Sequence, residues 1–431
     1  MNPLLAVITA ILLFFPSLSF AQTKEIISEG TYNMGDGETP SVAESRALLK
    51  AKQIALEQAG TYVESYSKVK NITLTHDEIQ VLASGLMEVE ILDKKRTVVG
   101  DGINFWVKIK AKVNAANMEE MAKRVKEKSI VEEYKKIQTD YEKSQKDIED
   151  LKRQLKQAKS KNDKKRVEAK ITDGERLFQA YSWIAKGFNY GVRKEYDQAI
   201  EACTNAIALN TQYDVAAYFV RGLAYRYNSQ YDLAIEDFNR AILLDPQIAA
   251  GYSSRADAYG MKHQYDKAIA DYSKAITIDP NEIDNYLKRG FVYSFEGQIG
   301  KAIEDYNFFI SKNQNHASAY LGRAKAYIKM GSFDKSVEDL TKAISIEPSD
   351  KAAYYWRGIV YNVIHKYNEA LEDFDSAISI DKDYGDAYEG RGLTYLGWGK
   401  RKKAIADLQK SCGLGSERGC KLVQQVSAGL L

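Results

Sequence analysis

The chain has 431 residues, long enough for two or more domains, and its 45% hydrophobic and 28% charged content is that of a globular protein. Lys and Arg total 61 against 59 Asp and Glu, and the net charge of +2 gives no general reason to expect nucleic acid or an acidic membrane as a partner. Tyr is abundant at 29 and Pro scarce at 6, which suits long helices packed through aromatic rings.

Residues 4–15 form an apolar run, followed by Pro16, Ser17 and the small-residue site Ser19-Phe20-Ala21. That pattern predicts a secretory signal peptide over 1–21, too short to span a bilayer and cleaved after Ala21, with an uncleaved anchor as the alternative. No Cys lies near the site, so a bacterial lipoprotein anchor is not expected. The expected location is periplasmic or secreted, where thiols oxidise.

Residues 22–115 read as a small α/β domain. A strand is expected at 26–33 and a long helix at 41–65, where Ala43, Ala47, Leu48, Ala51, Ile54, Ala55 and Ala59 fall at three- and four-residue steps. A strand at 69–74, a helix at 76–86 and strands at 89–99 and 103–113 follow, the last two joined by a Gly-Asp-Gly turn. In the last strand Phe105, Val107, Ile109, Ala111 and Val113 alternate with Trp106, Lys108, Lys110 and Lys112, so one face is buried and the other solvated. The segment resembles the N-terminal domain of the flagellar assembly protein T and related small bacterial envelope lipoproteins. The resemblance rests on Ala43-Glu44-Ser45-Arg46-Ala47, on Glu64-Ser65 and on the closing strand from Gly102 to Val113. It implies a place in the bacterial cell envelope and supplies no chemistry.

Residues 116–172 are charged and helical. Tyr134, Ile137, Tyr141, Ser144, Ile148, Leu151, Leu155 and Ala158 alternate steps of three and four, a heptad seam. Two readings follow: a solvated helical spacer packed on its own chain, or a homodimeric coiled coil through 134–158. A break is expected near Ser160.

From residue 173 to 418 one phrase returns at a fixed interval. Its small residue is Ala199, Ala234, Ala268, Ala302, Ser336, Ala370 and Ala404, after one interval of 35 residues and then five of 34. A period of this size marks a solenoid whose units bury their apolar faces only against their neighbours. Each unit predicts two helices, with Asp279-Pro280 and Glu347-Pro348 expected to end one helix and begin the next, and Gly297 and Gly331 in the turn inside the pair. The first aromatic of each unit is Trp183, Tyr218, Tyr252, Tyr286, Tyr320, Tyr354 or Tyr388. The small residue four positions on is Gly187, Gly222, Ala256, Gly290, Ala324, Gly358 or Gly392, and a Tyr follows three positions later. This pattern resembles the tetratricopeptide repeat. Seven repeats are expected, at 180–214, 215–248, 249–282, 283–316, 317–350, 351–384 and 385–418, with a capping helix at 419–431. The resemblance implies a right-handed superhelix whose groove is lined by the first helix of each pair. The expected fold class is therefore mainly α: a superhelical solenoid preceded by a small α/β domain and a helical, coiled-coil-like linker.

Where the repeat family usually carries Leu, this chain has Arg221, Arg255, Arg289, Arg323, Arg357 and Arg391. Sixteen residues after each comes Asp237, Asp271, Asp305, Asp339, Asp373 or Asp407, while the first repeat has Lys186 and Ala202 instead. Joint presence and joint absence predict a structural pair between the two helices of each repeat, a bidentate Arg–carboxylate bond suiting a half-buried site. The rival reading is an Arg ladder gripping a polyanion, against which each Arg has its own carboxylate.

Nothing in the sequence has the form of a catalytic, phosphate-binding or metal-binding motif. His76, His263, His316 and His365 have no His or Cys at ligand spacing, and no cofactor or small-molecule substrate is expected. Cys203 stands at a core position held elsewhere by Phe238, Tyr272, Tyr306, Leu340, Phe374 and Leu408. The ending from Cys412 to Cys420 resembles cysteine-stapled repeats of secreted bacterial proteins, which implies a disulfide between the two.

By family register the groove floor comprises Phe219, Leu223 and Tyr227; Ser253, Asp257 and Met261; Leu287, Phe291 and Phe295; Leu321, Lys325 and Lys329; and Tyr355, Ile359 and Val363. A protein or peptide bound through apolar anchors is expected there. The functional expectation is a non-enzymatic scaffold or adaptor of the bacterial envelope. The alternative is a permanent structural subunit of an envelope machine, a flagellar or secretion assembly.

Overall fold

A computed structural model describes residues 23–428 apart from 36–37, 71, 101, 116–117, 126–127 and 212–213. The expected signal peptide lies outside the described residues. The chain divides into two compact units, Met1–Pro246 and Gln247–Leu431.

The first unit opens with strand β1 (Thr23–Met34) and helix α1 (Pro40–Val69), followed by α2 (His76–Leu86), β2 (Met87–Val99) and β3 (Gly102–Asn114). The three strands form one antiparallel sheet in the order β1-β3-β2. On β3 the side chains of Phe105, Val107, Ile109, Ala111 and Val113 are buried, as the alternation predicts. They meet a stripe on α1 formed by Ala43, Ala47, Ala51, Ala55, Ala59 and Val63, all fully buried. Small residues bring the helix close to the sheet: a Cβ on Gly30 of β1 would lie 2.1 Å from the Ala47 carbonyl oxygen. The stripe steps by four and passes by Ile54, which is exposed.

Among the described residues of 69–74 the expected strand does not form. α1 runs on to Val69, and the Ile72 N–H donates to the Ser67 carbonyl at 2.9 Å, so the segment spends its backbone closing the helix. Ile72 and Leu74 pack on the core as loop residues. α2 has the expected bounds because Thr75 and Glu78 form a reciprocal capping box.

After the short α3 (Met118–Arg124), helices α4 (Lys128–Gln157) and α5 (Lys161–Val192) pack against each other. Ser160 caps the second by accepting from the Asp163 N–H at 3.0 Å. The heptad seam is filled by the chain itself. Tyr134, Ile137, Tyr141, Ser144, Ile148 and Leu155 are buried in a core that also holds Val167, Ile171, Phe178, Ile184 and Phe188 of α5. Tyr141 stacks on Phe178 at 4.9 Å and Tyr134 tilts against Phe188 at 5.6 Å. A coiled-coil dimer through 134–158 would need this same seam.

A buried ion cluster ties the sheet region to these helices. The fully buried Glu38 carboxylate lies 3.2 Å from Arg46 Nη1 and 2.7 Å from Lys152 Nζ, and Lys152 also donates to the Tyr32 hydroxyl at 2.7 Å. Glu175 accepts from the Thr39 N–H at 3.2 Å. One apolar core runs from Ile26 through the α4–α5 pair to Val220, continuous across residues 115 and 172.

α5 is also the first helix of the first repeat. Its partner is α6 (Tyr196–Ala208), and α7 (Asp214–Tyr227) with α8 (Tyr231–Leu244) completes the first unit. The second unit holds the pairs α9 (Ala249–Met261) and α10 (Tyr265–Ile278), α11 (Asp284–Glu296) and α12 (Ile299–Lys312), and α13 (Ala317–Lys329) and α14 (Phe333–Ile346). It ends with α15 (Lys351–Val363) and α16 (Tyr367–Ile380), α17 (Gly385–Gly397) and α18 (Arg401–Gly413), and α19 (Glu417–Ser427). The fold is thus mostly helical, a solenoid of helix pairs with a small antiparallel sheet near its N-terminal end.

The turn inside each pair needs one left-handed residue. Gly297 and Gly331 supply it at φ 82° and 71°, while Lys194, Ser229, His263 and His365 adopt it without glycine's freedom. His263 and His365 each hold the turn through Nδ1, 2.8 Å from the hydroxyl of Tyr265 or Tyr367. The prolines act differently from the expectation. Asp279 and Glu347 cap their helices at ψ 91° and 84°, a geometry that suits the proline that follows but that Asn313 and Asp381 adopt at ψ 91° and 104° without one. Pro280 and Pro348 then sit in the connecting turn, ahead of α11 and α15 and outside their first helical turns.

The small residues mark where paired helices cross. A Cβ on Gly222 would lie 2.7 Å from the Phe238 ring, one on Gly392 2.9 Å from Leu408, and one on Gly187 2.5 Å from Cys203 Sγ. Cys203 is fully buried, and burial pushes its thiol up to about 12, consistent with a packing role.

Candidate functional site

Each of the six arginines meets its aspartate. Nε donates to one carboxylate oxygen and Nη2 to the other, at 2.7–2.8 Å, in Arg221–Asp237, Arg255–Asp271, Arg289–Asp305, Arg323–Asp339, Arg357–Asp373 and Arg391–Asp407. Burial pushes the Asp373 carboxyl up and the hydrogen bonds from Arg357 pull it down. Burial outweighs the pull, so the carboxyl sits above its usual range, while the two parallel bonds raise the Arg357 guanidinium in turn.

The guanidinium does more than join its own pair. Nη1 reaches back to the preceding repeat: Arg221 to Thr204 at 3.0 Å, Arg289 to Ser273 at 2.9 Å, Arg323 to Asn307 at 2.6 Å, Arg357 to Thr341 at 3.0 Å, and Arg391 to Asp375. Two tyrosine rings flank the charge of Arg221, Arg255, Arg289, Arg323 and Arg357, as Tyr286 and Tyr293 flank Arg289, both 5.6 Å from its central carbon. The between-repeat bond was missed in the sequence, although the signal was there: 204, 239, 273, 307, 341 and 375 are all small and polar, at the period of the repeat.

In the second unit the first helices of neighbouring repeats approach one another, α11 with α13, α13 with α15 and α15 with α17, more closely than the second helices do. The stack therefore bends with the first helices inside. Two residues expected on that inner floor are not available to a partner. Leu287 is 8% exposed, within a core shared with α13. Phe219, in the first unit, is 2% exposed and lies 5.9 Å from the Phe238 ring, which slides over Gly222 to meet it. Leu223 is half-buried, and Tyr227 stacks on Tyr196.

The remaining positions form the accessible face. Met261, Phe295 and Val363 are 59%, 73% and 49% exposed and, with exposed Lys329 between them, recur at 34-residue steps along the ends of the first helices. Phe295 stacks on Tyr265 at 6.0 Å, and Lys329 Nζ donates to the Ser294 carbonyl at 2.8 Å. Deeper on this face lie half-buried Ser253, Leu321 and Ile359. Asp257 accepts from the Tyr272 hydroxyl and faces Lys288 Nζ at 3.2 Å. Phe291 meets the Tyr306 ring edge-on, and Lys325 sits 5.0 Å above the Trp356 ring with burial holding its ammonium below the usual lysine range. Tyr355 is half-buried among Trp356, Phe374 and Tyr384.

The last helix closes the stack. Cys412 and Cys420 are disulfide-bonded with their Cα atoms 4.6 Å apart. Gly419 lets α19 come close to α18, since a Cβ there would lie 2.7 Å from Ser411 Oγ. Glu389 receives Arg418 Nη1 at 3.1 Å and the Ser416 hydroxyl at 3.0 Å. Replacing both cysteines by Ser is expected to cost at most about 2.5 kcal/mol, the loop-closure term for so short a loop. Denaturant unfolding with and without reductant measures it, and the double variant should no longer respond to reductant.

A solenoid of Gly- and Ala-crossed helix pairs with this repeat length is the architecture of the tetratricopeptide class. The family model described as "Tetratricopeptide repeat" matches residues 215–248 and 249–282, and one described as "TPR repeat" matches 324–362; the chain carries tetratricopeptide repeats. No curated protein matches it. Among solved structures, a tetratricopeptide repeat protein from Parabacteroides merdae is 20% identical, with 58% of this chain and 99% of that one covered and a TM-score of 0.48. MamA is 29% identical over 38% of this chain and 95% of its own, with a TM-score of 0.35. YrrB, described as a TPR protein with an unusual peptide-binding site, is 20% identical over 44% of this chain and 99% of its own, with a TM-score of 0.38.

Proposed function

We propose that this chain is a non-enzymatic scaffold of the bacterial cell envelope that holds a partner polypeptide on the inner face of residues 247–431. The repeats are of a kind that typically acts as a protein-interaction scaffold. The observation that carries the reading is the row Met261, Phe295 and Val363, apolar and exposed with the charged Lys329 at the intervening 34-residue step, where a lone globular chain would bury such apolar side chains. Neighbouring first helices stand roughly 10 Å apart, about three residues of extended chain. The partner segment is therefore one with an apolar side chain at about every third position and an acidic group opposite Lys329. The signal-like residues 4–21 support export to the envelope.

Introducing Asp at Met261 and Phe295 tests the binding face. Both side chains are exposed, so the melting temperature should stay within about 2 °C of the parent, by the usual scale of surface substitutions. Co-purification of a defined polypeptide from envelope extract should be lost. Undiminished co-purification with the doubly substituted chain would remove this face from the account.

A further inference from the structure

The first unit contains a cavity of about 330 Å³ between α1, α4 and α5, bordered by α2 and β2. Its lining carries three cations, Lys52, Lys186 and Arg193, and no carboxylate. The charge on Arg193 is answered: Nε and Nη2 donate to Glu195 at 3.0 and 3.1 Å. The two lysines have no such partner. Neither forms a hydrogen bond or ion pair with any described residue, and the one close contact of an ammonium is that of Lys186 over the Trp183 ring at 4.0 Å.

The repeat register explains the unpaired charge on Lys186. It stands where the six later repeats place the ladder arginine, and the position of the answering aspartate is held by buried Ala202. The one repeat that lines the cavity is thus the one that keeps the cation and lacks its internal carboxylate. Across the cavity, burial and the nearby charge of Lys186 push Lys52 down to about 8. Two partly desolvated ammonium groups lining one cavity, close enough for one to lower the other, are costly unless an anion joins them. The rest of the wall divides in two: Leu48, Leu49, Leu56 and Val89 are apolar, while Ser182 and Asn189 offer polar groups. That combination suits a small ligand with an anionic head and an apolar body.

We infer that this cavity binds a small amphipathic oxyanion, a carboxylate or phosphate ester, with its head between Lys52 and Lys186 and its apolar part against Leu48, Leu49 and Val89. The site is separate from the inner face of residues 247–431 and does not depend on the scaffold reading. It adds a small-molecule ligand that the sequence alone gave no reason to expect.

Calorimetric titration of the full chain with hexyl phosphate, hexanoate and inorganic phosphate tests it, alongside Lys52→Met and Lys186→Met. Saturable one-to-one binding of hexyl phosphate or hexanoate is expected, with inorganic phosphate weaker because it lacks the apolar part. Each Met variant should bind at least ten-fold more weakly. Its ligand-free melting temperature should be unchanged or higher, because an unpaired charge has been removed while the apolar stem remains. No saturable binding by any of the three probes, or binding that both Met variants retain in full, overturns the inference. A fall in ligand-free melting temperature in both variants does so too, because it would give the lysines a structural role.

Discussion

Phe374→Ala is expected to lower the unfolding free energy by about 4 kcal/mol, the scale of removing a fully buried aromatic ring. Phe374 is fully buried between two glycines: a Cβ on Gly358 of its own repeat would lie 3.0 Å from the ring, and one on Gly390 of the next repeat 2.5 Å. The ring therefore fills both the crossing inside the repeat and the junction with the next one. Its loss weakens an interface term as well as the repeat's own stability, and in a solenoid these are the two terms that set stability. Denaturant unfolding of the full chain measures the loss. Gly390→Ala should also destabilise, by overpacking the same junction, at about 1–3 kcal/mol. A loss below 1 kcal/mol for Phe374→Ala would mean that the two repeats do not share this ring.

Arg289→Ala is expected to cost about 3 kcal/mol, the scale for removing one partner of a buried ion pair. It leaves the Asp305 carboxylate buried without its fork and cuts the tie to Ser273 in the preceding repeat. Asp305→Ala should cost about as much, and the double variant less than the sum of the two, because the second substitution removes a group already stranded. Arg289→Lys should recover little: an ammonium is a point charge and cannot bond both carboxylate oxygens in parallel while holding Ser273. Strictly additive losses would contradict the pairing.

These two expectations rest on features of unequal legibility. The repeat helices were legible because each carries the same signals at the same step, and α2 because Thr75 and Glu78 cap it locally. The segment 69–74 misled because Ile72 and Leu74 stand two residues apart as in a strand, while helix closure by the Ser67 carbonyl had already claimed the backbone. The seam through Tyr141 and Ile148 was visible as a buried stripe. A heptad states that a stripe is buried and leaves open by what, and here α5 is the answer. Register placed Phe219 and Leu287 on the inner side of their helices but gave no measure of depth, which the neighbouring helix sets. The opposition of Lys52 and Lys186 was not legible, since it depends on how α1 lies against α5.

The most direct test of the account is a photo-crosslinking residue placed at Phe295, on the inner face, and in a second chain at Lys274, exposed on α10 away from that face. Irradiation of intact cells should join the Phe295 chain to a defined polypeptide in good yield and leave the Lys274 chain largely unjoined. Equal labelling from both positions, or no adduct from Phe295, would contradict a partner held on the inner face.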